Sequence, residues 1–328
     1  MTKERILSGM RPSGKLHLGN YVGALQNWIA LQDKYECFFM IADWHALTTE
    51  YQDTSEIKPS INEVLLDWLS TGIDPEKSTV FIQSKVKQHS ELNLILSMFT
   101  PLTWLERCPT YKDQIKQLEN KEIETHGFLG YPVLQAADII IYKAEFVPIG
   151  EDQVPHLELT REIARRFNHY HSNVFPEPQA ILSKTPRLLG IDGRKMSKSY
   201  NNCIYLSSPR EEIIEKVKQM VTDPARVRRN DPGNPDICSV FDYQKVFNPD
   251  ATSEIIEGCR SASLGCVDCK KKLAEAIDNL LTPWREKRRK LEKSPDLIND
   301  IVQKGCKHAQ EVAETTMIEV RSKLGLVE

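Results

Sequence analysis

No stretch of this chain approaches the ~18 consecutive apolar residues that a bilayer-spanning helix requires, so no membrane span is expected in its 328 residues. The opening MTKERILSGMRPSG carries charges where a secretory leader would carry an apolar core, and a cytoplasmic location is expected from it. A strong charge of either sign is also missing: 43 Lys and Arg stand against 46 Asp and Glu, a balance of −3. That excludes a generally basic nucleic-acid coat, so a nucleic-acid partner would have to be met by local basic patches. Internal repeats and low-complexity tracts are absent as well. Eight cysteines without a leader do not form a disulfide framework, because the cytosol keeps thiols reduced. Four of the eight lie between Cys238 and Cys269, and such clustering suggests metal.

What is present is the alternation of an α/β chain, long enough for one large domain and a smaller one. Arg5–Arg11 is expected to be a strand that enters the turn RPSGKLHLGN, after which Val22, Leu25, Trp28 and Ile29 recur at helical spacing. CFFMIAD (37–43) and STVFIQS (78–84) are apolar runs of strand length, with a helix between them over Ser60–Leu69, after Pro59. Strand, helix, strand in this order implies a doubly wound parallel sheet whose ligand sites lie at the carboxyl ends of its strands. Residues 91–144 have helical periodicity. FVPIG (146–150) is a further strand, and Leu157, Ile163, Ala164 and Phe167 mark the helix after it. Beyond residue 207 the chain is helical and more charged, broken by TDPARVRRNDPGNPD (222–236), so a boundary is expected near 205. The late run WREKRRKLEK (284–293) suits a solvated face or an RNA-facing one.

Two short segments carry the chemistry. In PSGKLHLGN, Gly19 stands just ahead of a helix, where a side chain would block a ligand and where free N–H groups favour an anion. His17 offers a further hydrogen bond to a phosphate from the same loop. In GRKMSKSYN (193–201), Lys195 and Lys198 present two positive charges, Ser197 adds hydrogen bonds, and Gly193 supplies a hinge. Asp138 sits in an otherwise apolar helix, where a carboxylate is costly unless something donates to it. Cys259, Cys266 and Cys269 are spaced Cys-x6-Cys-x2-Cys, with Cys238 upstream; four thiolates suit either a zinc tetrahedron or a four-iron, four-sulfur cluster, and the spacing alone leaves both open.

RPSGKLHLGN together with GRKMSKS resembles the paired signatures of class I aminoacyl-tRNA synthetases. YPVLQAADIIIY (131–142), VPIGEDQVPHLELTREIARRFN (147–168) and TDPARVRRNDPGNPD narrow the resemblance to the tryptophanyl-tRNA synthetases. The resemblance implies a Rossmann-type catalytic domain over 1–205 with a helical insert at about 91–144. It also implies a helical anticodon-binding domain over 206–328 whose last helices pack back. The implied reaction is ATP-dependent charging of tRNA(Trp) with L-tryptophan through an enzyme-bound adenylate, with Mg2+ accompanying ATP and a homodimer as the working form.

The same resemblance assigns residues. Lys195, Lys198 and Lys112 would act on the phosphates. ATP would also meet Arg11, Pro12, Ser13, His17, Gly19 and Asn20, the loop Gly150, Glu151 and Asp152, and Leu188, Met196, Ser197 and Ser199. Arg11 stands where the family commonly has glutamine. Asp138 would accept the indole N–H and so refuse phenylalanine, with Gln135, Gln153, Leu7, Gly9, Val147 and Ile149 around it. Gln135 is also a feature of the tyrosyl-tRNA synthetases, the sister family. A bacterial subset of the tryptophanyl enzymes has a four-iron, four-sulfur cluster on cysteines like these, so iron–sulfur is expected on Cys238, Cys259, Cys266 and Cys269, with zinc as the alternative. Arg226, Arg228 and Arg229 are the expected RNA contacts.

Overall fold

The computed structural model describes residues 3–108, 111, 122–182 and 188–326. Five strands form one sheet in the order β3-β2-β1-β4-β5, every neighbouring pair parallel. They are β1 (Arg5–Met10), β2 (Glu36–Ile41), β3 (Ser78–Ile82), β4 (Phe146–Ile149) and β5 (Gln179–Leu182). The order reverses between β1 and β4, the switch point of a doubly wound sheet. Continuous apolar sequence explains β2: its Phe38 and Phe39 point to opposite faces and both are fully buried, as a strand covered on two sides requires.

Among the described residues the α-helices, in chain order, are α1 (Leu18–Asn20), α2 (Gln26–Leu31), α3 (Asp43–Glu50), α4 (Ile57–Thr71), α5 (Gln88–Phe99), α6 (Leu102–Glu106), α7 (His126–Leu129), α8 (Tyr131–Ile140) and α9 (Val154–His171). They continue as α10 (Arg210–Gln219), α11 (Ser239–Phe247), α12 (Thr252–Arg260), α13 (Cys266–Glu292) and α14 (Pro295–Leu324). A π turn at Tyr21–Leu25 joins α1 to α2. Helix α4 begins two residues ahead of Pro59, because proline is tolerated in the first turn, where its missing N–H has no partner to lose.

The described residues fall in two compact units, neither of them one stretch of sequence. Met1–Gly14, Gln26–Lys184 and Ser294–Glu328 make the first; Lys15–Leu25 and Thr185–Lys293 make the second.

In the first unit the Trp28 ring stacks on Phe39 at 4.9 Å and meets Trp68 edge-on at 5.3 Å on one side of the sheet. Opposite, Leu7, Phe38 and Phe81 pack with apolar residues of α5, α8, α9 and α14. Helix α14 lies against β3 so closely that a β-carbon on Gly305 would come within 1.9 Å of the Val80 carbonyl oxygen. The second unit is built on α10, α11 and α13, with Ile213, Val217, Tyr243, Leu273, Ile277 and Leu281 buried in it.

Candidate functional site

In the first unit the polar groups collect where strands end. His45 follows β2 on the first turn of α3, Gln83 directly follows β3, and Asp138 lies on α8. His45 Nε2 meets Asp138 Oδ2 at 2.7 Å, His89 Nδ1 meets Oδ1 at 2.6 Å, and Gln83 Nε2 donates to both oxygens at 2.8 and 2.9 Å. Burial pushes the Asp138 carboxyl up, and His45 and His89 more than offset it, so the group stays below its ordinary value.

Burial, and then the Asp138 charge, raises Tyr142 well above the usual phenol range. Its O–H therefore stays protonated and lies 2.7 Å from His89 Nε2, while the ionised Asp138 carboxylate can only accept, so His89 Nδ1 is the donor to it. The carboxylate thus has three protein donors, where sequence reasoning looked to the indole alone for one. His45, Gln83, His89 and Tyr142 were all missed. The signals were a glutamine closing the apolar run of β3 and a histidine inside an apolar helix.

Leu7 and Val147 are buried in the same core as α8, with Ile149 partly buried against it. A β-carbon on Gly9 would press on the Met40 carbonyl at 3.1 Å. Gln135 is half-buried one turn before Asp138. After β4, Gly150 accepts the Gln153 N–H at 3.0 Å, closing a turn on which Glu151 and Asp152 are exposed. A β-carbon on Gly150 would come within 2.7 Å of Asp152 Oδ1, the tip of an exposed side chain. Arg11 donates to Thr49 Oγ1. Lys112 lies outside the described residues.

In the second unit the two signature segments are laced together. Leu18 N–H donates to Ile204 O at 2.9 Å and Leu206 N–H to Leu16 O at 2.9 Å, which seats the His17 loop on the segment that follows the lysine loop through an isolated bridge, His17 to Tyr205. A β-carbon on Gly19 would come within 3.1 Å of Met196 Sδ. His17 caps α1: its Nδ1 accepts the Asn20 N–H at 3.3 Å, while Asn20 Oδ1 accepts the His17 N–H at 3.0 Å. Burial, and then the charge of Lys198, brings His17 down to about 4. The imidazole is therefore neutral near pH 7, with its proton on Nε2 as a donor.

Asn202 organises the lysine loop and was not foreseen. Buried, it accepts the Ser197 N–H at 2.8 Å and donates to Asp192 Oδ1 at 2.8 Å and to Lys195 O at 3.1 Å. Gly193 has φ +78°, the left-handed region that favours glycine. Ser197 and Ser199 share a hydroxyl bond of 2.8 Å, and Leu188 is buried. Lys195 is exposed, and no hydrogen bond holds its ammonium among the described residues.

Cys238, Cys259, Cys266 and Cys269, all half-buried free thiols, line one pocket with Arg226 and Phe241 among its walls. Burial and then the Gln244 hydrogen bond and the other cluster thiols set Cys269, which is pushed up to about 11. Gln244 Nε2 stands 3.6 Å from Cys269 Sγ and Arg226 Nη1 3.8 Å from Cys259 Sγ. Among the described residues, however, no group of three or more His, Cys, Asp or Glu side chains is arranged to hold a single metal ion. The donor set is that of a thiolate cluster, but its present arrangement does not bear out a metal site.

A parallel sheet with a topological switch, a buried acceptor on α8 and a lysine loop laced to a His-x-Gly-Asn loop define an ATP-using enzyme of the class I synthetase kind. The family described as tRNA synthetases class I (W and Y) matches residues 2–282, and the chain belongs to it. It is 54% identical to "Tryptophan--tRNA ligase" of Thermotoga maritima, covering 98% of this chain and 99% of that one. It is 46% identical to the enzyme of the same name from Aquifex aeolicus, over 98% and 100% of the two chains. The tryptophanyl-tRNA synthetase of Campylobacter jejuni complexed with ADP and tryptophan superposes with a TM-score of 0.89 at 35% identity, over 98% and 100% of the chains. Among the described residues no helix is long and apolar enough to cross a membrane.

Proposed function

We propose that this chain ligates L-tryptophan to tRNA(Trp). The observation that carries the reading is full-length identity of 54% to a tryptophan–tRNA ligase in a chain whose α8 bears a buried carboxylate. The tryptophan carboxylate attacks the α-phosphorus of ATP in line; an O–P bond forms, the bond to the β,γ-diphosphate breaks, and tryptophanyl-adenylate remains. The 2′ hydroxyl of the terminal tRNA ribose then attacks the acyl carbon, and AMP leaves. No protein nucleophile is needed, so catalysis is positioning and charge stabilisation.

Lys195 and Lys198, with Lys112, neutralise the leaving diphosphate alongside Mg2+, and Met196, Ser197 and Ser199 shape that loop. Neutral His17 donates from Nε2 to a phosphate, Gly19 permits close approach, and Asn20 holds the His17 cap. Arg11, Pro12 and Ser13 contact ATP, Leu188 its adenine, and Gly150, Glu151 and Asp152 the ribose and the substrate amine. Asp138 accepts the indole N–H, while Leu7, Gly9, Gln135, Val147, Ile149 and Gln153 line the tryptophan site. Pyrophosphate exchange tests the reading: exchange driven by tryptophan supports it, and exchange driven by tyrosine alone reverses it.

Residues 1–205 are assigned to catalysis and 206–328 to the anticodon-binding domain, except that its last helix, α14, packs back on β3, with Arg226, Arg228 and Arg229 as RNA contacts and the cytoplasm as the place of work. The chain works as a homodimer through α5 and α6, where Leu94, Met98 and Leu102 are 58, 74 and 64% exposed; a monomer at micromolar concentration in sedimentation would refute this.

The cysteine pocket takes a four-iron, four-sulfur cluster, as in the iron–sulfur subset of the family, with the four thiolates as ligands. Four sulfurs on one pocket and two nitrogen donors beside them support this, since N–H groups stabilise cluster sulfurs. Protein purified without oxygen should contain ~4 iron and ~4 sulfide per chain. About one zinc instead would make the site a zinc site, and neither metal would sink the idea.

A further inference from the structure

A carboxylate offers about four lone-pair directions in its plane. On Asp138 these are taken: His89 on Oδ1 at 2.6 Å, His45 on Oδ2 at 2.7 Å, and the Gln83 amide across both at 2.8 and 2.9 Å. An indole N–H that binds this carboxylate must therefore replace or crowd one donor.

The three donors are not equally able to yield. His89 is fully buried and pinned at its second nitrogen by Tyr142 at 2.7 Å. Gln83 is fully buried too, and its Oε1 accepts the Trp44 N–H at 3.1 Å, which ties the amide to the start of α3. The His45 side chain is 12% exposed, against 2% for Asp138, and among the described residues no hydrogen bond holds its Nδ1. A rotation about its side-chain torsions frees Oδ2 without moving backbone.

We infer that His45 and the indole N–H compete for Oδ2 of Asp138, so that tryptophan binds by exchanging one donor for another and His45 sets how strongly an amino acid lacking that N–H is refused. The inference rests on the reading of Asp138 as the indole acceptor. Its consequence is specific. A ligand without the N–H lets His45 keep its place, so the carboxylate is not left unpaired and the refusal is weaker than burial of a bare charge would give. Removing His45 leaves the direction it held on Oδ2 to the ligand alone, with Gln83 still donating across both oxygens, and discrimination sharpens.

The test compares kcat/KM for tryptophan with that for 3-benzothienylalanine, in which sulfur replaces the N–H, by pyrophosphate exchange. From wild type to His45→Ala the ratio should rise about tenfold or more, carried by the KM for the amino acid while the KM for ATP stays put. His45→Gln, whose amide reaches the same oxygen, should bring the ratio back toward wild type, which a mere cavity at residue 45 would not do. A ratio that is unchanged or lower in His45→Ala, or that His45→Gln fails to restore, overturns the inference. Asp138→Asn separates the two claims. If it collapses the ratio while His45→Ala leaves it alone, only the exchange fails; if it leaves the wild-type ratio intact, Asp138 is not the acceptor and the underlying reading fails with it.

Discussion

The Asn202 side-chain oxygen accepts the backbone N–H of Ser197 at 2.8 Å, five residues back along the chain. Through its amide the same side chain also reaches Asp192 and Lys195, so one buried residue fixes the shape on which both loop lysines are carried. Asn202→Ala removes all three of these hydrogen bonds from the loop, at about 1–3 kcal/mol. The rate of tryptophan-dependent pyrophosphate exchange should fall about tenfold or more, with tryptophan affinity unchanged by equilibrium fluorescence.

Removing the charges themselves should cost more. Lys195→Ala and Lys198→Ala each take away a group proposed to act on the leaving diphosphate, and kcat for exchange should fall about 10²- to 10³-fold. The KM for tryptophan should hardly move. Exchange that proceeds at the wild-type rate in both variants would refute the phosphate roles.

His17 titrates near pH 4 in the folded chain, against 6.5 as its ordinary value. Between those values the unfolded chain binds the proton that the folded one refuses, so stability rises with pH across this window and is complete above 6.5. His17→Asn keeps a cap acceptor without the titration. The stability difference between wild type and variant should therefore grow from pH 4 to 6.5 and level off above it, by denaturant melts at each pH.

Gly305→Ala sets a methyl against the Val80 carbonyl and must push α14 off β3. An overpacked backbone contact costs about 1–3 kcal/mol. The urea midpoint should drop accordingly, while the KM values of the surviving folded enzyme stay as they were.

Much of the fold was legible because local pattern suffices for it. The apolar runs of β2, β3 and β4 were placed within a few residues of where the strands lie, and their alternation with helices implied the parallel sheet. Strand β5 was not foreseen: QAIL is four residues long and leaves Leu182 47% exposed, too short and too open to show a period. The π turn at Tyr21–Leu25 was hidden for a related reason, since helical spacing before and after it looks the same.

At the candidate site the difference is one of chain distance. Asp138 announced itself as a carboxylate among apolar neighbours, but its donors stand 93, 55 and 49 residues away, and no local pattern joins them to it. The bonds of Asn202 likewise reach Asp192, Lys195 and Ser197 through the fold of the loop, which residue type alone does not show.

By itself the sequence determined the alternating α/β order, the two signature loops and the family they belong to, because each is a matter of residue type and spacing along the chain. Only the tertiary structure decided that Asp138 already has three donors, that four cysteines face one pocket, and that α14 returns to rest on β3. Hydrogen bonds and close packing are satisfied through space, between whichever groups the folded chain brings within about 3–4 Å, and that pairing is not written in the order of residues.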